Sequence, residues 1–207
     1  MMSFYSVRPG VQAGQRPRRR VSRGQAMVEF ALIMFPLLLF MVVGATDIST
    51  LLDDHLDAVY AARAGARVGS VIGNYSPSGA AYTADCAIVG AVQAALAGTR
   101  NVQVTQIAIY QADYTGVYSN SRPQDVYAGN AVCNADGSIT PAATKTTWAP
   151  SIRCNVPFQE NSIGVAITYN YTYAFNLLNF AQPTVTDSAV MPIEIVVNPS
   201  STTNSCP

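Results

Sequence analysis

Seventeen consecutive uncharged residues, 30–46, constrain this chain more than any other feature. They sit in an apolar stretch, residues 26–45, interrupted only by Glu29 and Pro36. That length is at the lower limit for a helix crossing a bilayer. Its flanks differ in charge. Arg8, Arg16, Arg18, Arg19, Arg20 and Arg23 precede it with no acidic residue among them, and Asp47 follows. The positive-inside rule then keeps the arginine side cytoplasmic and exports the chain after Asp47. Pro36 removes a helical hydrogen bond and predicts a kink, which membrane helices tolerate. Residues 1–23, rich in Arg, Gly, Pro, Gln and Ser, have little to bury and read as a disordered leader.

The charge pattern excludes several functions. The 12 basic and 12 acidic residues sum to zero, but beyond Gly24 the balance is 6 basic against 12 acidic, a net of −6. A nucleic-acid-binding domain spreads positive charge over its folded surface, which this chain does not. Only 12 % of residues are charged, about half the usual share, which argues against a soluble cytosolic enzyme. With one His and no Cys-x-x-Cys pair, a zinc site is not expected. His55 lies among Asp53, Asp54 and Asp57, which read as a solvated acidic helix face. There is no Gly-x-Ser-x-Gly elbow, and the sole lysine, Lys145, follows no glycine-rich phosphate loop. No catalytic residue, metal, cofactor or small-molecule substrate is expected.

Beyond Asp47 the helical pattern continues to residue 72. Leu52, Leu56, Val59, Ala62 and Ala66 recur at spacings of three or four and predict one apolar face. Gly65, Gly69 and Gly73 lie four apart, which calls for close backbone approach to a neighbour. The neighbour is either the protein's own sheet or another subunit. One helix over residues 25–72 would span about 72 Å.

Residues 74–79 form a loop signal, and residues 82–97 a second, Ala-rich helix ended by Gly98. Val102, Val104, Ile107 and Ile109 predict a strand with a bulge near Gln106. Residues 163–175 alternate strictly: Ile163, Val165, Ile167, Tyr169, Tyr171, Tyr173 and Phe175 face one way. This predicts a half-buried antiparallel strand. Residues 185–197 repeat the pattern, with Pro192 marking an edge strand. Residues 111–161 read as one long polar loop. The fold class is therefore α+β: a long N-terminal membrane-spanning helix, a short second helix, then an antiparallel sheet. Cys86, Cys133, Cys154 and Cys206 all fall on the exported side, where disulfides form. Of three possible connectivities, Cys133–Cys154 would close the long loop and Cys86–Cys206 would pin the tail.

The segment Arg23-Gly24-Gln25-Ala26-Met27-Val28-Glu29-Phe30, with Pro36, Asp47-Ile48 and residues 61–67, resembles the start of TadE-like proteins. These are minor pilins, or pseudopilins, of the tight-adherence (Tad) pilus within the type IV pilus superfamily. The resemblance covers roughly residues 23–69 and implies a pilin-like layout. It implies that a prepilin peptidase cuts after Gly24 on the cytoplasmic side of the inner membrane, removing residues 1–24. Gln25 then begins a mature chain of 183 of the 207 residues. Residues 25–46 stay as the membrane helix, residues 47–72 continue it outside, and residues 73–207 form an extracytoplasmic α+β domain. Glu29 and Phe30 become the assembly residues, Glu29 pairing with an amino terminus in its own or a neighbouring subunit. The partners implied are other pilin subunits, the peptidase and the bacterial inner membrane, with the protein possibly in the pilus itself. The large exported part favours a minor subunit over the main one.

Two alternatives stay open. Val43-Gly44-Ala45 could be the cleavage site of an ordinary signal peptide. The protein could also be a signal-anchored domain acting alone, with Tyr169, Tyr171 and Tyr173 as a sugar-binding surface rather than sheet core.

Overall fold

Residues 30–46 carry no charge and are almost all apolar, and they form a helix, which satisfies its own backbone. In the computed structural model, which describes residues 23–73, 83–155, 161–173, 175 and 181–194, α1 runs unbroken from Arg23 to Ile72 and through Pro36. None of its side chains from Gly24 to Val42 is buried. It is long and apolar enough to cross a membrane by length and composition. The chain divides into two units, Met1–Val42 and Val43–Pro207.

Within the second unit, α2 (Ala84–Leu96) starts where the Thr83 side chain accepts a hydrogen bond from the Cys86 amide at 3.3 Å, an N-cap. Then come β1 (Val102–Ala112), β2 (Gln124–Ala128), β3 (Val132–Cys133), β4 (Ile139–Thr140), β5 (Lys145–Thr146), a 3-10 turn at Pro150–Ile152, β6 (Ser162–Tyr171) and β7 (Thr184–Pro192). Five strands form an antiparallel sheet in the order β5-β2-β1-β6-β7, and β3 and β4 pair separately. The α+β layout read from the sequence is the observed one. β7 is an edge strand ending at Pro192, and the β1–β6 register shifts between Val104 and Gln106, where the bulge was expected. β6 stops at Tyr171, short of the expected Phe175.

Two expectations change. Residues 111–161 are not a single loop: β2 to β5 and the 3-10 turn lie within them. These strands of two to five residues are too short to show a period. The buried face of α1 also differs. Leu52 and Leu56 are exposed, whereas Ala58, Ala61, Ala62, Ala66, Gly65 and Gly69 are buried. The helix turns its small residues inward, because they let it lie close on α2 and the sheet. A Cβ on Gly65 would stand 2.6 Å from Val92 Cγ2, and one on Gly69 would stand 2.8 Å from Ile163 Cδ1. Gly73, just past the helix end, also lies against Ile163. The small-residue stripe is thus used within the chain.

The main core lies between the helices and the sheet. Ile88, Val89 and Val92 meet Ile107, Ile109, Ile163, Val165, Ile167 and Tyr169. A smaller cluster on the far face holds Ala108, Tyr110, Val126 and Ala166, partly covered by Tyr118. There Tyr110 pairs in register with Gly164 and lays its ring over it, and Tyr118 packs edge-on at 5.1 Å. Any Cβ at residue 164 would enter the Tyr110 ring. Gly164→Ala is therefore expected to destabilise the domain by about 1–3 kcal/mol, read as a lower urea midpoint.

The disulfide pattern corrects the expectation as well. Cys86 is bonded to Cys133, with Cα atoms 5.0 Å apart, so neither Cys133–Cys154 nor Cys86–Cys206 forms. The cause is topological. Gln93 on α2 donates to the carbonyls of Gly129 and Ala131 at 2.8 and 3.3 Å, which seats β3 against α2. Cys154 is disulfide-bonded too, and Cys206 lies outside the described residues. Peptide mapping without reductant should return a linked Cys86–Cys133 pair. Closing a loop of 47 residues is worth about 4 kcal/mol in the chain-entropy account, so reduction should lower the urea midpoint accordingly.

Candidate functional site

Gly24, Gln25, Glu29 and Phe30 occupy the first two turns of α1. Residues four apart on a helix share a face. Accordingly the Gln25 amide donates to Glu29 Oε1 at 3.1 Å in an exposed contact. An amino group created at Gln25 would stand one turn from that carboxylate. The first-turn amides, which have no partner within the helix, add partial positive charge at this end. A Cβ on Gly24 would meet nothing within 4 Å, and Phe30 is exposed. Arg23 and Gly24 are helical, whereas a peptide entering a protease site is extended. Cutting after Gly24 therefore requires the first turn to unwind, the part of a helix held by fewest hydrogen bonds.

Sequence reasoning did not find the polar contacts that fasten α1 to the sheet. Thr50 Oγ1 lies 3.0 Å from the Tyr171 hydroxyl, and Asp47 Oδ1 accepts from the Phe175 amide at 3.2 Å. The Tyr169 hydroxyl donates to Asp187 Oδ2 at 2.9 Å. His55 Nδ1 lies 3.1 Å from the same carboxylate oxygen and 3.2 Å from the Tyr169 hydroxyl. Burial, then the adjacent Asp187 carboxylate, raises the Tyr169 phenol above its ordinary range. Tyr169 and Tyr171 are buried with their hydroxyls engaged, so they form core and not an open sugar-binding surface. The only advance signal was their place on the buried side of the β6 alternation.

The acidic turn is not uniformly solvated. Asp53 and Asp57 are exposed, but Asp54 is buried and its Oδ2 has no hydrogen-bond partner among the described residues. Burial raises its carboxyl above the usual range, helped by repulsion from Asp57 and Asp53 and opposed by a hydrogen bond from Asn101. A raised carboxyl favours the fold when protonated and costs stability once ionised. Asp54→Asn should therefore raise the urea midpoint at neutral pH, with the gap to the parent closing as the pH falls toward 4. Among the described residues no group of three or more His, Cys, Asp or Glu is placed to hold a metal ion.

The chain was compared with known proteins. Residues 24–67 match the family model described as TadE-like protein. No curated protein and no solved structure matches the chain. The resemblance read from Arg23 onward is borne out over those residues. The match points to a Tad-pilus-associated protein with an N-terminal membrane helix.

Proposed function

We propose that this protein is a structural minor pilin, or pseudopilin, of a Tad-type pilus or related secretion apparatus, and not an enzyme. Its leader, residues 1–24, stays in the bacterial cytoplasm until a prepilin peptidase cuts after Gly24. Residues 25–46 anchor it in the inner membrane, and the domain beyond faces away from the cytoplasm. It joins other pilin subunits through the first half of α1, with Glu29 and Phe30 at the contact.

One observation carries this reading. The part of the chain that matches the TadE-like family begins at Gly24 and takes in the helical segment whose large apolar side chains are exposed. Met27, Phe30, Leu32, Ile33 and Phe35 are each at least 65 % exposed, which water would not tolerate over a continuous run. A bilayer, and later neighbouring helices, would cover them.

Intact-mass analysis tests the reading. Co-expression with a Tad-type prepilin peptidase should yield a membrane-bound chain beginning at Gln25. A chain beginning at Thr46 would mark an ordinary signal peptide and overturn the pilin assignment.

A further inference from the structure

Three charged residues far apart in sequence meet in the interior of the domain. Asp85 on α2, Asp125 on β2 and Arg153 after the 3-10 turn are 3 %, 0 % and 3 % exposed. Arg153 Nη1 stands 2.6 Å from Asp85 Oδ1, and Nη2 donates to Asp125 Oδ2 at 3.2 Å. The guanidinium also donates to the Trp148 carbonyl, at 3.2 Å from Nε and 3.0 Å from Nη2, and stacks 4.6 Å from the Trp148 ring centroid. Its Nη1 reaches the Gly73 carbonyl at the end of α1, at 2.9 Å. The Trp148 amide donates to Asp125 Oδ1 at 3.0 Å, and the Tyr127 hydroxyl to Asp85 Oδ2 at 2.8 Å. One cluster thus joins α1, α2, the sheet and the segment leading to β6.

Its charges do not balance. Two carboxylates face one guanidinium, and Asp85 Oδ1, held by the ion pair with Arg153, accepts no hydrogen bond among the described residues. Among the described residues, no other side chain supplies the missing charge. β1 places Ile109 opposite Asp125, Lys145 on β5 donates instead to the Asn120 carbonyl, and Tyr127 is a neutral phenol raised further by burial and by Asp85. A net negative charge without water costs far more than protonating one oxygen.

We propose that Asp85, Asp125 and Arg153 form a proton-operated clasp at the end of α1: the folded domain holds one proton on Asp125, and the joint weakens as that proton leaves on the way to neutral pH. Burial, with the repulsion of Asp85, pushes the Asp125 carboxyl up to about 6 from an ordinary 3.8, against the pull of the Trp148 amide and Arg153. Because the folded value is the higher one, the stabilisation is complete below the unfolded value and is lost as pH rises through about 6. Two pH units between folded and unfolded values correspond to about a 100-fold change in the folding equilibrium.

The test uses the full chain in detergent micelles. Urea unfolding is followed by the fluorescence of Trp148, the single tryptophan, which sits against the cluster. From pH 5 to pH 8 the folding constant should fall by about 10-fold, the rest of the 100-fold change lying between the unfolded value of 3.8 and pH 5. Asp125→Asn should make that fall clearly smaller, leaving the part that Asp54 contributes, and His55→Gln, which removes the single imidazole, should keep it. Unfolding of the parent at pH 5 should release about one proton per chain in a weakly buffered titration. That measurement decides the matter if Asp125→Asn does not fold. A parent whose stability is flat or rises from pH 5 to 8, a folded Asp125→Asn variant with the parent's slope, or no proton released would each overturn the clasp.

Discussion

Glu29→Gln is expected to insert into the membrane and to be cut after Gly24 like the parent, yet to be lost from the pilus complex. The substitution keeps size and shape and removes one charge. An acidic residue at the centre of a membrane helix costs about 2.5–3.5 kcal/mol on insertion scales, and less near the interface. A carboxylate carried at such a cost within a spanning segment has a partner as a rule. Before cutting, the leader arginines can offset it. In a chain cut after Gly24 the nearest fixed positive charge would be the new amino terminus, one helical turn away on the face where Gln25 touches Glu29. A neighbouring subunit displaced along the axis can offer its own amine instead. Gly24→Leu is expected to do the reverse, blocking the cut and leaving insertion intact. Membrane fractionation, intact mass and co-purification with partner pilins read both variants. Assembly of Glu29→Gln at the parent's level would remove the charge from any role in docking.

Gly65→Leu is expected to destabilise the domain strongly. A single Cβ at this position already stands 2.6 Å from Val92 Cγ2 and 3.3 Å from Val165 Cγ1. Both are β-branched and stiff, so neither can rotate away cheaply. A leucine must push α1 off α2 and β6, at a cost of about 3 kcal/mol or more, against a total stability of about 5–15 kcal/mol for an ordinary domain. Gly90→Ala is the control. A Cβ there meets nothing within 4 Å, and replacing a mid-helix glycine should stabilise by about 0.5–1 kcal/mol. Circular dichroism and urea midpoints compare the two. A Gly65→Leu variant as stable as the parent would mean that α1 does not lie close on α2 in solution.

The elements legible in the sequence were those with a long, regular period. β6 declared itself by strict alternation, and the β1 bulge by one slipped residue in an otherwise clean pattern. The membrane-length helix needed only its run of uncharged residues. The face of α1 was read correctly at Ala62 and Ala66 and wrongly at Leu52 and Leu56. Here Leu52 and Leu56 face outward, and alanine and glycine are buried because close approach outweighs apolar area. The pairing of Cys86 with Cys133 depends on where β3 meets α2, which two-residue strands do not announce. The segment that matches the TadE-like family was legible as a local motif. Asp85 and Arg153 are 68 residues apart, and nothing local marks either as buried. A lone charge in the Ala-rich start of α2 was the one available hint.

The Ala- and Gly-built underside of α1 has a mechanical consequence. Such a face buries little area per turn, so its grip depends on fastenings spread along the axis: Thr50 to Tyr171, His55 to Tyr169 and Asp187, and Gly73 to Arg153. A pull directed along residues 43–72 loads all of them together in shear, so that none can fail alone. A pull directed away from the sheet meets them one after another, like a zip. The same helix is therefore strong under tension along its length and weak to peeling.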